Sequence, residues 1–397
     1  MRFVALKKVA AIDRTVASGA ECRTLPYVGL EHIEKDTGRF VSEFEGKPES
    51  LRATKFKFTE KHVLYGKLRP YLNKVALPSV DGVCTTEILP ILPGHDELDR
   101  TYLWALLLSR NFVQWASANV SGANLPRLSP TLLAEYRIPL PPLSEQKRIA
   151  AVLTKADRLR RLCRYARDLS ETYLSSAFLE MFGDPVTNPM GWDVEPLGES
   201  IDGFEGGVNY PPVSEGEEAS AWRVLKVSAV TWGDFDPAES KPIRRNVDFD
   251  ASIVVKKGDL LMSRANTTQL VAAVCLVSQT PPKVLLPDKL WRIRFSEDSR
   301  LLPDYTMLAL RQAGLRKMIG ELATGTSSSM KNISKQKAAT LPIPSAPLTL
   351  QRELAGIVHK HERLRTQQRE AERQSQHLFD TLLHQAFRGE LGIMGNG

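Results

Sequence analysis

The chain has 397 residues, with 53 Lys and Arg against 46 Asp and Glu, a formal net charge of +7 and 42% apolar side chains. That ordinary globular composition excludes extensive disorder, and the absence of any run of ~18 apolar residues excludes a membrane-spanning helix. The N-terminal string MRFVALKKVAAIDR lacks the apolar core of a secretory signal, and Cys22, Cys84, Cys163 and Cys275 form no C-x-x-C pair, so a reducing cytoplasm is expected, with neither a zinc knuckle nor a disulfide framework.

Residues 1–143 read as a first globe, with 19 basic and 15 acidic side chains. Short apolar runs at 27–30, 62–65 and 85–91 predict strands, and 99–118 predicts a helix. After the second run comes GKLRPYLNK, which offers Lys67, Arg69, Tyr71, Asn73 and Lys74. A cation- and amide-rich segment of this kind suits a DNA groove, where Arg reads guanine and Asn reads adenine through paired hydrogen bonds. It suits a solvated surface equally well. The loop NVSGANLPRLSP adds Asn124 and Arg127 among small hydrogen-bonding residues, fit for phosphate contacts or for a plain surface connection.

Residues 144–182 predict a long helix free of Pro and Gly, with 8 basic and 5 acidic side chains. A 3-4 spacing runs Ile149, Val152, Ala156, Leu159, Cys163, Ala166, Ser170, Tyr173, Ala177, which is a heptad seam. Ser144 is the expected N-cap and Gly183-Asp184-Pro185 the stop. At ~1.5 Å per residue the helix spans roughly 55–60 Å.

Residues 183–348 read as a second globe, with 19 basic and 20 acidic side chains. Strands are predicted at 252–255, 260–262, 271–277 and 290–295, and a helix at 303–323. SRANTTQ supplies Arg264, Asn266, Thr267, Thr268 and Gln269, and the loop ATGTSSSMKNISK supplies Ser327, Ser328, Lys331 and Asn332. A second long helix follows over 349–390, with Thr349 as expected cap and 391–397 as a tail. Its seam is Leu354, Ile357, His361, Leu364, Gln368, Ala371, Ser375, Leu378, Leu382.

The chain is thus written twice. Tyr102-Leu103-Trp104-Ala105-Leu106 aligns with Tyr305-Thr306-Met307-Leu308-Ala309. Pro139 matches Pro342, whereas Leu143, Gln146, Lys147 and Ala150 match Leu348, Gln351, Arg352 and Ala355, which reads two extra residues into Pro344-Ser345-Ala346-Pro347. A period near 200 residues is too long for a solenoid, so one domain-plus-helix unit is present in two copies. Matched seams in one chain favour intramolecular pairing. The expected fold is α+β: two tandem mixed α/β globes separated by two long helices paired as an antiparallel coiled coil, with pseudo-two-fold symmetry. Such a shape reads two separated half-sites on a duplex. Independent surface helices and a homodimer seam are the alternatives.

The catalytic inventory is thin. No G-x-x-x-x-G-K-[ST] loop occurs, and Pro287-Asp288 and Pro303-Asp304 lack the E-x-K of a metal-dependent nuclease core. Asn188-Pro189-Met190 and Asn209-Tyr210-Pro211-Pro212 are poor candidates for an amino-methyltransferase loop. His359 and His361 stand two apart on a predicted helix and face different ways, so no metal site is expected.

The strings IPLPPLSEQKRIAAVL and LPIPSAPLTLQRELAGIV, each opening a long heptad helix, together with LFDTLLHQAFRGEL, resemble the specificity subunit of type I restriction–modification systems. The resemblance covers essentially the whole chain. It implies that each globe is a target recognition domain reading one half of a bipartite DNA target. It implies that the paired helices set the gap and dock two methyltransferase subunits. Methylation of adenine with S-adenosylmethionine would belong to those partners, and restriction with ATP and Mg to motor–nuclease subunits where these join. The chain itself would be non-catalytic. The competing readings are a methyltransferase or nuclease with cryptic motifs and a coiled-coil adaptor that binds no DNA.

Overall fold

The structure is a computed structural model that describes residues 2–41, 53–122, 124–211, 213–214, 216–327, 330–388 and 391. It mixes helices and sheets, an α+β protein, and divides into two units: Met1–Arg164 with Glu370–Gly397, and Tyr165–Arg369. Each long helix contributes residues to both units.

The first unit is built around the strand Val63–Gly66, which pairs antiparallel with Ile88–Pro93 and Val75–Ala76; Ala10–Ile12 completes the sheet. Side chains alternate across this strand. Val63 and Tyr65 join the core made with the helices, while Leu64 joins Val28, Phe58 and Cys84 under a second, three-stranded sheet. Both faces are therefore covered, which is why the run is continuously apolar. In the second unit Leu260–Ser263 takes the same place: Leu260 and Met262 face the helical core, and Leu261 faces Val224, Cys275 and Val284.

Each predicted globe helix is two helices. Arg100–Leu108 and Arg110–Ala118 meet at Ser109, and Pro303–Arg311 and Ala313–Leu322 meet at Gln312. Ser109 and Gln312 are both extended at ψ 143, and the Ser109 hydroxyl accepts the Phe112 N–H at 3.4 Å. The predicted strand at 252–255 is instead the 3-10 turn Ala251–Ile253, held by Asp250 accepting the Ser252 N–H. The first and last strands of each globe pair, Phe3–Ala5 with Arg137–Pro139 and Asp193–Pro196 with Pro342–Ser345.

The long helices run Leu143–Phe182 and Leu348–Arg388. They begin before the expected caps, because Pro142 O accepts the Gln146 N–H at 3.0 Å and Pro347 O accepts the Gln351 N–H at 3.1 Å, leaving Ser144 and Thr349 inside the first turn. Gly183, at φ 75, closes the first helix.

Within the first unit, Ile149, Leu153 and Ala156 share a core with Phe379, Leu383 and Ala386, and Arg160 lies 3.7 Å over the Phe379 ring. Arg148 reaches Leu391 O at 3.1 Å and Arg164 reaches Glu372 at 3.8 Å, so the two segments run antiparallel. Within the second unit, Ser170 donates to Gln368 at 2.8 Å, His361 bonds Ser170 O at 2.7 Å, and Leu174 and Phe178 share a core with Leu354 and Val358.

The seam follows the expected heptad at every second position only. Ile149, Ala156, Ser170, Leu354, His361 and Ser375 are buried, but Leu159, Tyr173, Leu364 and Leu378 are 42–52% exposed, and Val152, Ile357 and Leu382 are half-buried. The buried partners are one residue further on: Leu153, Arg160 and Leu174 in the first helix, Val358 and Phe379 in the second. The first step of each pair is four rather than three. A spacing count misses this because Arg160 occupies an inward position that no apolar residue marks.

Candidate nucleic-acid interface

In each unit the segment after the central strand meets the hairpin that follows the globe helices. In the first, Leu128 N–H donates to Lys67 O at 3.0 Å, Arg69 N–H donates to Pro126 O at 2.7 Å, and Leu68 bridges Arg127. In the second, Ile333 N–H donates to Arg264 O at 3.1 Å, and Ala265–Asn266 pairs with Asn332 and Lys331. Two segments 50 or more residues apart in sequence are thereby set side by side, twice, at corresponding backbone positions.

These bonds also relocate the two extra residues of the second copy. Tyr102 donates its hydroxyl to Pro139 O at 3.0 Å and Tyr305 to Pro344 O at 2.7 Å, so Pro139 corresponds to Pro344, not to Pro342. The match of Leu128 with Ile333 carries the same offset of 205. The insertion lies in the hairpin, not before the helix.

Of the first group, Arg69, Tyr71 and Asn124 are exposed, and Lys67 and Arg127 half-buried. Arg69 and Asn73 bracket a turn in the left-handed region, at φ 50 and φ 45. Asn73 faces inward, 7% exposed, and its amide donates to Leu108 O at 3.2 Å. Lys74 turns back to Leu30 O at 2.6 Å. Both brace the segment from behind.

Of the second group, Arg264, Thr267, Thr268 and Gln269 are exposed. Asn266 donates to Thr231 Oγ1 at 3.2 Å and accepts the Thr267 N–H at 2.9 Å, which orients its amide. Lys331 and Asn332 lie on the strand Met330–Asn332, Lys331 donating to Gly325 O at 2.8 Å. Ser327 ends the strand Thr324–Ser327, and Ser328 lies outside the described residues.

Three residues at these places escaped the sequence reading. Glu87 O accepts the Lys67 N–H, as Lys289 O accepts the Arg264 N–H, both at 2.9 Å, so Glu87 and Lys289 are counterparts of opposite charge. Glu87 also ties Arg127 at 3.0 Å, whereas Lys289 adds a cation beside Arg264. Their position comes from strand pairing and has no local signature. Trp232, 77% exposed, directly follows Thr231, the residue that accepts the Asn266 amide; the string TWGD was its one sequence signal.

Among the described residues, no three or more His, Cys, Asp or Glu gather as metal ligands, and no helix is long and apolar enough to cross a membrane. The arrangement offers cations, amides and hydroxyls on two hydrogen-bonded edges. That chemistry binds phosphates and base edges.

Comparison with known proteins bears on the same surfaces. Residues 25–164 match the family described as Type I restriction modification DNA specificity domain. The chain is similar to the type I restriction enzyme EcoDI specificity subunit of Escherichia coli, 28% identical over 186 residues, 45% of this chain and 40% of that protein. It is similar to the EcoEI specificity subunit of Escherichia coli, 26% identical over 50% of this chain and 34% of that protein, and to the EcoKI specificity subunit of Escherichia coli (strain K12), 26% over 72% and 63%. These alignments thus span less than half the length of the first two relatives. The fold resembles the type I restriction–modification S subunit from M. genitalium, with a TM-score of 0.58, 16% identity and coverage of 97% and 96%. It also resembles a chain described under "Structural basis underlying complex assembly and conformational transition of the type I R-M system", with a TM-score of 0.56, 23% identity and 98% of both chains covered. The matched specificity domain includes the Lys67–Lys74 segment and its hairpin.

Proposed function

We propose that this chain is the DNA sequence-recognition subunit of a cytoplasmic type I restriction–modification complex and has no catalytic site of its own. One globe, residues 1–143, reads one half of a bipartite target through Lys67, Arg69, Tyr71, Asn124 and Arg127. The other, residues 183–348, reads the second half through Arg264, Asn266, Thr267, Gln269, Lys331 and Asn332, with Lys289 and Trp232 beside them. The helices over 144–182 and 349–390 pair as an antiparallel coiled coil that sets the gap and docks two methyltransferase subunits. S-adenosylmethionine is held by those partners, and ATP with Mg by motor–nuclease subunits where these join.

The observation that carries this reading is the twofold recurrence of one edge, in which a strand-following cationic segment is bonded to a polar hairpin at Leu128–Lys67 and again at Ile333–Arg264. A hydrogen-bonded edge holds its side chains at little further cost in conformational freedom, as base readout requires. Polar side chains on two such edges discriminate bases, and phosphate contacts fix the register. Division of labour follows: recognition here, chemistry in the partner, to whose pocket a flipped adenine is presented.

The test is purification of the chain alone and with its methyltransferase subunits, followed by DNA binding and methyl transfer. The chain alone should bind duplex DNA with steep salt dependence and transfer no methyl group. Methyl transfer or cleavage by the chain alone would favour an enzyme, and absence of DNA affinity in both preparations would favour an adaptor.

A further inference from the structure

Each globe holds a loop that touches its reading edge on one side and its own long helix on the other. In the first unit this is the loop 34–39. The Asp36 N–H donates to Asn73 O at 3.3 Å, within the segment that carries Lys67, Arg69 and Tyr71. On the helix side, Glu34 takes Arg164 through both carboxylate oxygens at 2.8 Å, Arg39 pairs with Asp157 at 3.2 Å, and Arg160 pairs with Asp157 at 2.7 Å while donating to Thr37 O.

In the second unit the loop is 231–234. Thr231 accepts the Asn266 amide at 3.2 Å, Gly233 O accepts Arg311 at 2.5 Å, and the Asp234 carboxylate binds both Arg365 and Arg369. Arg160 and Arg365 are 205 residues apart, as are Arg164 and Arg369, the offset that also relates Gln146 to Gln351. The two copies therefore spend the same two helical positions on arginines that grip the same loop, although the acids that answer them differ.

Arg160 is 3% exposed, and a guanidinium taken out of water is expensive enough that an apolar residue at a helix seam is commonly the more stable choice. What the planar fork adds is direction: paired N–H···O bonds fix an angle as well as a distance. We infer that the two loops are struts that hold each reading edge at a set angle to its helix, with Glu34, Asp157 and Asp234 as positioning residues for the gap between half-sites. The inference rests on the DNA-reading proposal, which assigns the edges and, of these two loops, uses Trp232 alone.

The experiment uses the full chain in complex with its methyltransferase subunits and duplexes whose half-sites are fixed while the gap varies by one or two base pairs. Asp234→Asn should reduce the preference for the native gap over its neighbours by about tenfold, the scale of one weakened partly buried charge pair, and leave half-site sequences unchanged. Asp234→Glu, which keeps the charge, should restore the preference. An unchanged gap preference in Asp234→Asn, or equal loss of methylation at every gap, overturns the strut. Amide hydrogen exchange on the full chain without DNA supplies an arm independent of base reading. Asp234→Asn should speed exchange over 264–269 relative to 290–294. Equal exchange in the two proteins overturns the strut whatever the DNA result, so its failure is distinguishable from failure of the proposed function.

Discussion

Gln351 repeats the three hydrogen bonds of Gln146. The Gln146 carboxamide accepts the Asp99 N–H and donates to Glu97 O and Pro141 O, each at 2.9 Å. That of Gln351 accepts the Leu302 N–H at 2.8 Å and donates to Arg300 O at 2.8 Å and Ala346 O at 2.7 Å. Both side chains are fully buried. Each ties the start of a long helix to the start of its globe's helix pair, which gives the Pro-Leu-x-x-Gln string a physical reason.

Gln146→Ala would remove the partner of one partly buried donor and two partly buried acceptors. The expected cost is about 2–3 kcal/mol, and Gln146→Glu should cost at least as much because a carboxylate would face two carbonyl oxygens. Thermal unfolding of the full chain checks this, with Gln351→Ala giving a loss of the same order.

The seam makes a second prediction. Leu153→Ala and Phe379→Ala should each cost about 3–5 kcal/mol, since both side chains are buried in the first unit's core. Leu159→Ala and Leu378→Ala, at 44% and 42% exposure, should cost less than about 1 kcal/mol. Denaturant titration separates the two classes. The reverse ranking would reinstate the apolar heptad.

Stability should also fall with acid through His62. Burial pushes its imidazole below the ordinary value, against the opposing pull of the Asp13 carboxylate 3.5 Å away. The ring accepts the Thr59 N–H on Nδ1 at 2.9 Å, so it is held neutral. A depressed histidine binds its proton more readily in the unfolded chain, so its contribution is full above the unfolded value near 6.5 and declines below it. Melting temperature should drop between about pH 7 and about pH 5.5, and His62→Gln should flatten that slope.

Base reading predicts asymmetric mutants. Arg264→Ala should relax one half-site only, with a loss of about 1–3 kcal/mol of discrimination, and Arg69→Ala should act on the other half. Methylation of randomised half-site libraries reads this out. Uniform weakening across all sequences would instead reduce either arginine to a phosphate contact.

Local features were legible in the sequence. The duplication, the apolar central strands and both long helices follow from short-range pattern, and the segments around Lys67 and Arg264 stood out by composition. Long-range features were not. Glu87 and Lys289 reach their edges only through strand pairing, Asn73 is turned inward by the left-handed turn it closes, and every second seam position is displaced by one residue, which the apolar pattern hides because Arg160 fills one of the inward places. The hairpin hid the two-residue insertion because small polar residues align with one another at any register.

The measurement that bears most directly on the central claim is sequencing of methylated adenines in DNA modified by this chain with its methyltransferase subunits, for the unaltered chain and for Arg264→Ala. Two short defined segments separated by a fixed unspecified gap, with the variant losing definition in one segment alone, is the predicted result. A single contiguous target, or equal loss of definition in both segments, would contradict it.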